Sequence, residues 1–382
     1  MTAVLSDPVT ETIGVAREVL SRRTGAPVSL LDPVDLGGDG RAVVLRVRVV
    51  DNSAILPRTL VLKCVDPRNR DGSPNVGFLR ETASYQLITA LASRSRPGPA
   101  LIAYDLSAGL IVLTDLGDHG AVSALLRAGH TPGAKNTLMA MAQALGRMHA
   151  ATVGREEDFR ALAARVGIPA GRPEDHFRAL SMGTIDTLPE RIGRRLSVKP
   201  SDAALDRITG AISSMSDGRF RAFSSSDMCP DNLVVDAGGV RFLDYEWGGY
   251  RNVFLDLTYP LMSFPGCLCK VDIDGETADA MIDAWRAEVA SIWPQLADDS
   301  YLEARVLEGR LSWAWLTTAR FLEASSTART AAAHRHHLAA RRADVLRLRW
   351  ELLHSAAERA GDEAIVELAA DVTDALDRVG LP

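Results

Sequence analysis

Asp227 and Asn232 stand five residues apart in the polar, proline-broken run Phe223-Ser224-Ser225-Ser226-Asp227-Met228-Cys229-Pro230-Asp231-Asn232, and twelve residues further on the apolar run Val240-Arg241-Phe242-Leu243 delivers Asp244. A loop with one carboxylate and one amide, followed by a carboxylate at the end of the next strand, can place a base and two metal ligands around a bound polyphosphate. The chemistry such a set serves is phosphoryl transfer. Asp227 is the candidate base that orients the accepting hydroxyl and takes its proton, and Asn232 and Asp244 are the candidate ligands for one or two Mg²⁺ ions.

A polyphosphate carries several negative charges, so cations must be found upstream. Lys63 closes Leu60-Val61-Leu62-Lys63, a strand whose other residues are apolar, an unusual place for a solvated ammonium. A helix from about 76 to 91 follows, with Phe78, Leu79, Ala83, Leu87 and Leu91 on its apolar face and Glu81 beside it. Lys63 is the candidate phosphate anchor and Glu81 the acid that orients it. Gly38 and Gly40, in Leu36-Gly37-Gly38-Asp39-Gly40-Arg41, form a glycine cluster that serves either as a plain hairpin turn or as a backbone approach to phosphate.

The elements that must carry these residues follow from period and punctuation. An amphipathic helix over 7–23 ends near Gly25. Alternation at Leu45, Val47 and Val49, then the runs 60–63, 99–105 and 110–117, predict strands. Beyond 117 helix dominates: Met139–Ala151, loose helices between 154 and 200, and long helices at about 277–291, 301–324, 327–359 and 363–378. His149 reads as a packing or capping residue, Asp256 as an N-cap, and Trp313, Trp315 and Phe321 as core. The basic stretch 329–349 reads as a solvated helix face.

This pattern resembles the aminoglycoside phosphotransferase-like kinases. Their catalytic loop, His-Gly-Asp-x4-Asn, stands here as Ser225-Ser226-Asp227-Met228-Cys229-Pro230-Asp231-Asn232, and their metal strand as Leu243-Asp244-Tyr245-Glu246. Asp256-Leu257 and Leu145-Gly146-Arg147-Met148-His149 match two further family segments, and Val112-Leu113-Thr114-Asp115-Leu116-Gly117 is similar to the hinge. The resemblance covers about 30 to 265. It implies an α+β, two-lobed protein-kinase-like fold: a small five-stranded antiparallel lobe with one main helix, over 1–113, a hinge at 114–117 whose backbone at Asp115 and Leu116 holds adenine, and a large helical lobe over 118–382. It implies ATP or GTP with Mg²⁺ as cofactors and a small-molecule hydroxyl as acceptor, of antibiotic or natural-product type. Transfer to a peptide Ser or Thr in natural-product biosynthesis, and a nucleotide-binding pseudokinase or scaffold, are the alternatives. The family's loop histidine and glycine are Ser225 and Ser226 here.

Composition narrows the partners. A net charge of -6 with both signs interspersed gives no footprint for nucleic acid or an anionic membrane. The start of the chain has no basic stretch followed by an apolar core and no apolar run reaches membrane-spanning length, so a cytoplasmic protein is expected. Four cysteines, Cys64, Cys229, Cys267 and Cys269, are too few and too unevenly spaced for a disulfide framework, and Cys267-Leu268-Cys269 reads as ordinary buried thiols rather than a metal half-site. Composition does not set the oligomeric state.

Overall fold

A computed structural model describes residues 7–37, 42–50, 56–117, 120–127, 129–169, 176–322 and 338–379 of the 382. The chain divides into two compact units, one from Met1–His119, Glu157–Arg172 and Leu243–Gly248, the other from Gly120–Glu156, Pro173–Phe242 and Gly249–Pro382.

The first unit opens with α1 (Pro8–Thr24), capped by Asp7 and closed by Gly25 in the left-handed region at φ 73°. Strands β1 (Leu30–Asp35), β2 (Ala42–Val49) and β3 (Thr59–Val65), helix α2 (Val76–Thr89), and strands β4 (Leu101–Asp105) and β5 (Leu110–Thr114) follow. The five strands make one antiparallel sheet in the order β1-β2-β3-β5-β4. Its core gathers Ala16, Val19 and Leu20 of α1 against Leu45, Val47, Leu60, Leu62 and Val112. Strand β1 has no clear sequence signal because it is an edge: Pro33 is tolerated there, and Leu31 and Val34 stay exposed. Gly38, Gly40 and Arg41 lie outside the described residues.

The second unit contains β6 (Gly120–Ala121), α3 (Val122–Leu126) and α4 (Pro132–Thr152). Helix α5 (Glu156–Arg165) belongs to the first unit in all but its opening residue. Helices α6 (His176–Leu196) and α7 (Asp202–Ser216) lead to β7 (Arg221–Ser224), the hairpin β8 (Leu233–Asp236) and β9 (Gly239–Phe242), and β10 (Gly249–Asn252), which pairs with β7. The remainder is α8 (Val253–Leu261), α9 (Gly275–Val289), α10 (Asp299–Phe321), α11 (Arg342–Ala360) and α12 (Glu363–Val379).

Three expectations change here. Residues 154–200 hold a regular 21-residue helix, α6, that keeps Pro189 inside it, rather than loose pieces. Helix α7 was not anticipated, although Ser201 caps it and Ala204, Ile208, Ala211, Ile212 and Met215 line its buried face. Of the helix expected over 327–359, the described residues 338–341 are not helical, Ala339 being taken by a bridge to Cys269, and a helix runs from Arg342 to Ala360. The Arg- and His-rich part of that stretch, 329–337, lies outside the described residues.

Trp313, Trp315 and Phe321 are buried in α10 as expected. Helices α8 and α10 touch at Gly309, where a Cβ would lie 2.8 Å from Thr258 Oγ1 and 2.9 Å from the Phe254 carbonyl. Gly309→Ala should therefore overpack this contact and cost about 1–3 kcal/mol in urea unfolding.

Candidate active site

Lys63 sits in β3 between Val44 of β2 and Ile111 of β5, so the sheet fixes its backbone on both sides. Asn75 caps α2 and sets its start, which carries Glu81 to a position only 2% exposed. Lys63 Nζ lies 2.7 Å from Glu81 Oε1 and 2.8 Å from Asp244 Oδ1. Asp244 itself takes φ 58°, a left-handed conformation that aspartate tolerates better than most residues. The segment is fastened to α2 by the Tyr245 ring, edge-on to Tyr85 with centroids 5.1 Å apart, and by Ser84 Oγ donating to the Tyr245 carbonyl.

Electrostatics set the charge of this trio. Burial works against the Lys63 ammonium, but the carboxylates of Glu81 and then Asp244 outweigh it and raise its pKa above the ordinary lysine value. Burial pushes Glu81 up to about 7, with Lys63 pulling the other way. Asp115, expected at the hinge, is engaged elsewhere: its Oδ2 forms an ion pair with Arg46 Nε at 3.0 Å and its Oδ1 accepts from the Gly117 amide at 2.9 Å. Its side chain is thus committed to the protein, and Leu116 follows it in the turn.

The second unit places Asp227 just after β7. Its Oδ1 accepts from Tyr259 Oη and from the Cys229 amide, each at 3.2 Å. Asn232 closes a 3-10 turn and donates through Nδ2 to the Asp227 carbonyl at 3.5 Å, a bond that does not use its amide oxygen. Asp227 and Asn232 are therefore brought together, as are Lys63, Glu81 and Asp244.

Asp256 departs from its expected role. Asn252, not Asp256, caps α8. Asp256 lies wholly buried in the first turn, paired with the Arg251 guanidinium, accepting from Ser224 Oγ at 2.8 Å and facing His149 Nε2 at 3.0 Å. Trp285 Nε1 donates to His149 Nδ1 at 3.0 Å, so the imidazole proton belongs on Nε2 and points at Asp256. An acid inside Val253-Phe254-Leu255-Asp256-Leu257 demands such partners, and that was the signal available in the sequence.

This network also braces the loop that lacks the family histidine. Ser224 Oγ, held by Asp256, accepts from the Ser226 amide at 2.9 Å. Ser226 takes φ 63°, the region glycine enters freely and serine enters at a cost of roughly 1–2 kcal/mol. Ser225 is fully buried.

Two groups escaped the sequence reading. Tyr259 gave no local sign of reaching Asp227. Arg349, fully buried in α11, donates to the carbonyls of Met262, Ser263, Phe264 and Cys267 at 2.7–3.2 Å. Cys267 and Cys269 are also not free thiols: they form a disulfide, and Cys229 lies beside them. Two residues apart, their Cα atoms are 5.5 Å from each other, within bonding range.

No protein-family model and no curated protein sequence matches the chain. Among solved structures it is similar to a choline kinase from Cryptosporidium parvum Iowa II, with 10% identity and a TM-score of 0.50 over 95% of this chain and 99% of that one. The chain has a kinase-like fold. The kinase-like neighbours also include aminoglycoside 2'-phosphotransferase-IIIa in a GDP complex, at 13% identity and TM-score 0.48 over 91% and 99% of the chains. A choline/ethanolamine kinase family protein from Mesorhizobium loti shows 14% identity and TM-score 0.44 over 90% and 92%. The resemblance read in the sequence thus holds at the level of fold. Among the described residues of this kinase-like chain, no helix is long and apolar enough to cross a membrane.

Proposed function

We propose that the protein is a nucleoside-triphosphate-dependent phosphotransferase that moves a γ-phosphoryl group to a hydroxyl of a small molecule. One observation carries this reading: a strand lysine, its side chain only 17% exposed, held between two carboxylates, Glu81 at 2.7 Å and Asp244 at 2.8 Å. Burying an ammonium is costly, and a lysine fixed this way is suited to phosphate oxygens. The choline-kinase-like fold supports it. In this reading residues 1–113 form the nucleotide lobe, 114–117 the hinge and 118–382 the acceptor lobe.

Lys63 anchors the phosphates and Glu81 orients it. Asp115 and Leu116 hold the base through backbone. Asp244, whose side chain is 38% exposed, and the free amide oxygen of Asn232 are hard oxygen donors that fit Mg²⁺. When bound, the ion neutralises charge on the transferring phosphoryl group. Asp227 orients the accepting hydroxyl and takes its proton, while the Tyr259 hydroxyl and the Cys229 amide fix the carboxylate.

Purified protein with Mg²⁺ should consume ATP or GTP when a panel of small hydroxyl compounds is supplied. Thermal stabilisation by nucleotide with no turnover on any acceptor would instead identify a binding module. Lys63→Met should remove turnover.

Glu81 also predicts a pH dependence. Its carboxyl holds Lys63 only when ionised, so turnover should rise through about pH 7 and lose that rise in Glu81→Gln. The stability effect runs the other way. Between pH 4.5 and about 7 the folded chain keeps a proton the unfolded chain has released, so this group's contribution falls as pH increases. Parallel pH profiles of turnover and of unfolding midpoint should slope oppositely.

A further inference from the structure

The thiol cluster has no part in the proposed phosphoryl chemistry. Cys229, from the loop after β7, and Cys267 and Cys269, from the segment after α8, place their sulfurs within 4.8 Å of one another. They come from two stretches of chain, and Cys229 is nearly forty residues from the pair.

We propose that, once the Cys267–Cys269 disulfide is reduced, Cys229, Cys267 and Cys269 together bind one thiophilic d¹⁰ cation, zinc(II) being the type. Tetrahedral zinc with bonds of about 2.3 Å separates its sulfurs by about 3.8 Å, so the bonded Cys267 and Cys269 sulfurs part once reduced and the Cys229 sulfur closes by no more than about 1 Å. The backbone is already arranged for this. The Cys229 amide donates to Asp227 and its carbonyl accepts from Asn232. The Cys267 carbonyl accepts from Arg349 at 2.7 Å. The Cys269 carbonyl accepts from Ser263 Oγ at 2.8 Å, while the amides of Lys270 and Ala340 bond across to Leu338 and Leu268.

The balance is simple. A dithiol or phosphine reductant supplies two electrons to the disulfide; the dithiol also gives up its two protons and leaves as its own disulfide, whereas with the phosphine a water molecule supplies both the two protons and the oxygen of the phosphine oxide. Three thiols then release three protons to bind one divalent ion, a unit of net charge -1 beside the Arg349 guanidinium. Water completes the fourth position. Thiol exchange between Cys229 and the disulfide is the competing chemistry. Full reduction removes it, because no disulfide is then left for Cys229 to attack.

The test titrates full-length protein with Co²⁺ under anaerobic conditions after phosphine reduction. We expect one equivalent to bind with a sulfur-to-cobalt charge-transfer band, bleached by one equivalent of Zn²⁺. The band should be absent in unreduced protein and in Cys229→Ser, with far-UV circular dichroism showing that the variant is folded. Absence of the band in reduced wild-type protein overturns the proposal, and so does an equal band in folded Cys229→Ser, since two ligands would then suffice. If Cys229→Ser proves unfolded, wild-type protein alkylated at Cys229 with the disulfide intact and then reduced replaces it, with the same two readings.

Discussion

Asp227→Asn is expected to lower turnover by roughly 10²–10⁴-fold while leaving nucleotide binding and the fold in place. The substitution is close to isosteric. Tyr259 Oη and the Cys229 amide both donate to Asp227 Oδ1, and an asparagine oxygen accepts the same two bonds. Asn232 contacts the Asp227 carbonyl rather than its side chain, so the turn that presents the Asn232 amide is also kept. What the amide cannot do is take a proton from an alcohol. Steady-state kinetics with nucleotide titration by calorimetry checks this, and full turnover in the variant would remove Asp227 from the role of base.

Asp256→Ala should have the largest effect on stability, about 3–5 kcal/mol in urea unfolding near neutral pH. The truncation strands a buried Arg251 guanidinium, empties one hydrogen bond of His149 and frees Ser224 from the contact that lets it brace Ser226. Burial alone would raise the Asp256 pKa, but Arg251 and then His149 and Ser224 hold it below the ordinary carboxylate value. The sign follows from linkage. A depressed carboxyl contributes stability above its unfolded pKa and loses it as pH falls through the folded one. Wild-type protein should therefore lose stability in acid below about pH 4 more steeply than the variant, and the two unfolding curves should converge there. A gap that persists unchanged at pH 2 would show that packing, not charge, is what the alanine removes.

Lys63, Glu81 and Asp244 were legible because charge in an apolar strand, an acid on an apolar helix and a carboxylate closing a strand are each locally improbable. Their contact with one another is a geometry that composition alone could not supply. Asp227 and Asn232 were legible through spacing. Asp256 was noticed but misjudged, since an acid at the head of a helix is most simply a cap and nothing local reveals Arg251, His149 and Ser224 converging on it. Tyr259 and Arg349 were out of reach because their partners lie 32 and more than 80 residues away and no periodicity records such a contact. The strands that carry Lys63 were visible by alternation, whereas β1 broke the pattern with Pro33 at an exposed edge.

Arg349 has a consequence for how the chain can be divided. The family resemblance fades after about residue 265, which invites the view that the later helices are an appendage to a finished enzyme. Four carbonyls of the 262–267 segment depend on a single guanidinium from α11, and Ser263 and Phe264 hold consecutive left-handed backbone there. The Gly266 amide in that segment donates to Tyr259 Oη, which reaches Asp227. A protein cut before Arg342 would keep each residue of the proposed chemistry yet leave the support of its base to water. One chain of hydrogen bonds joins the helical extension to the Asp227 loop, and modularity in this chain ends where the sequence likeness does not.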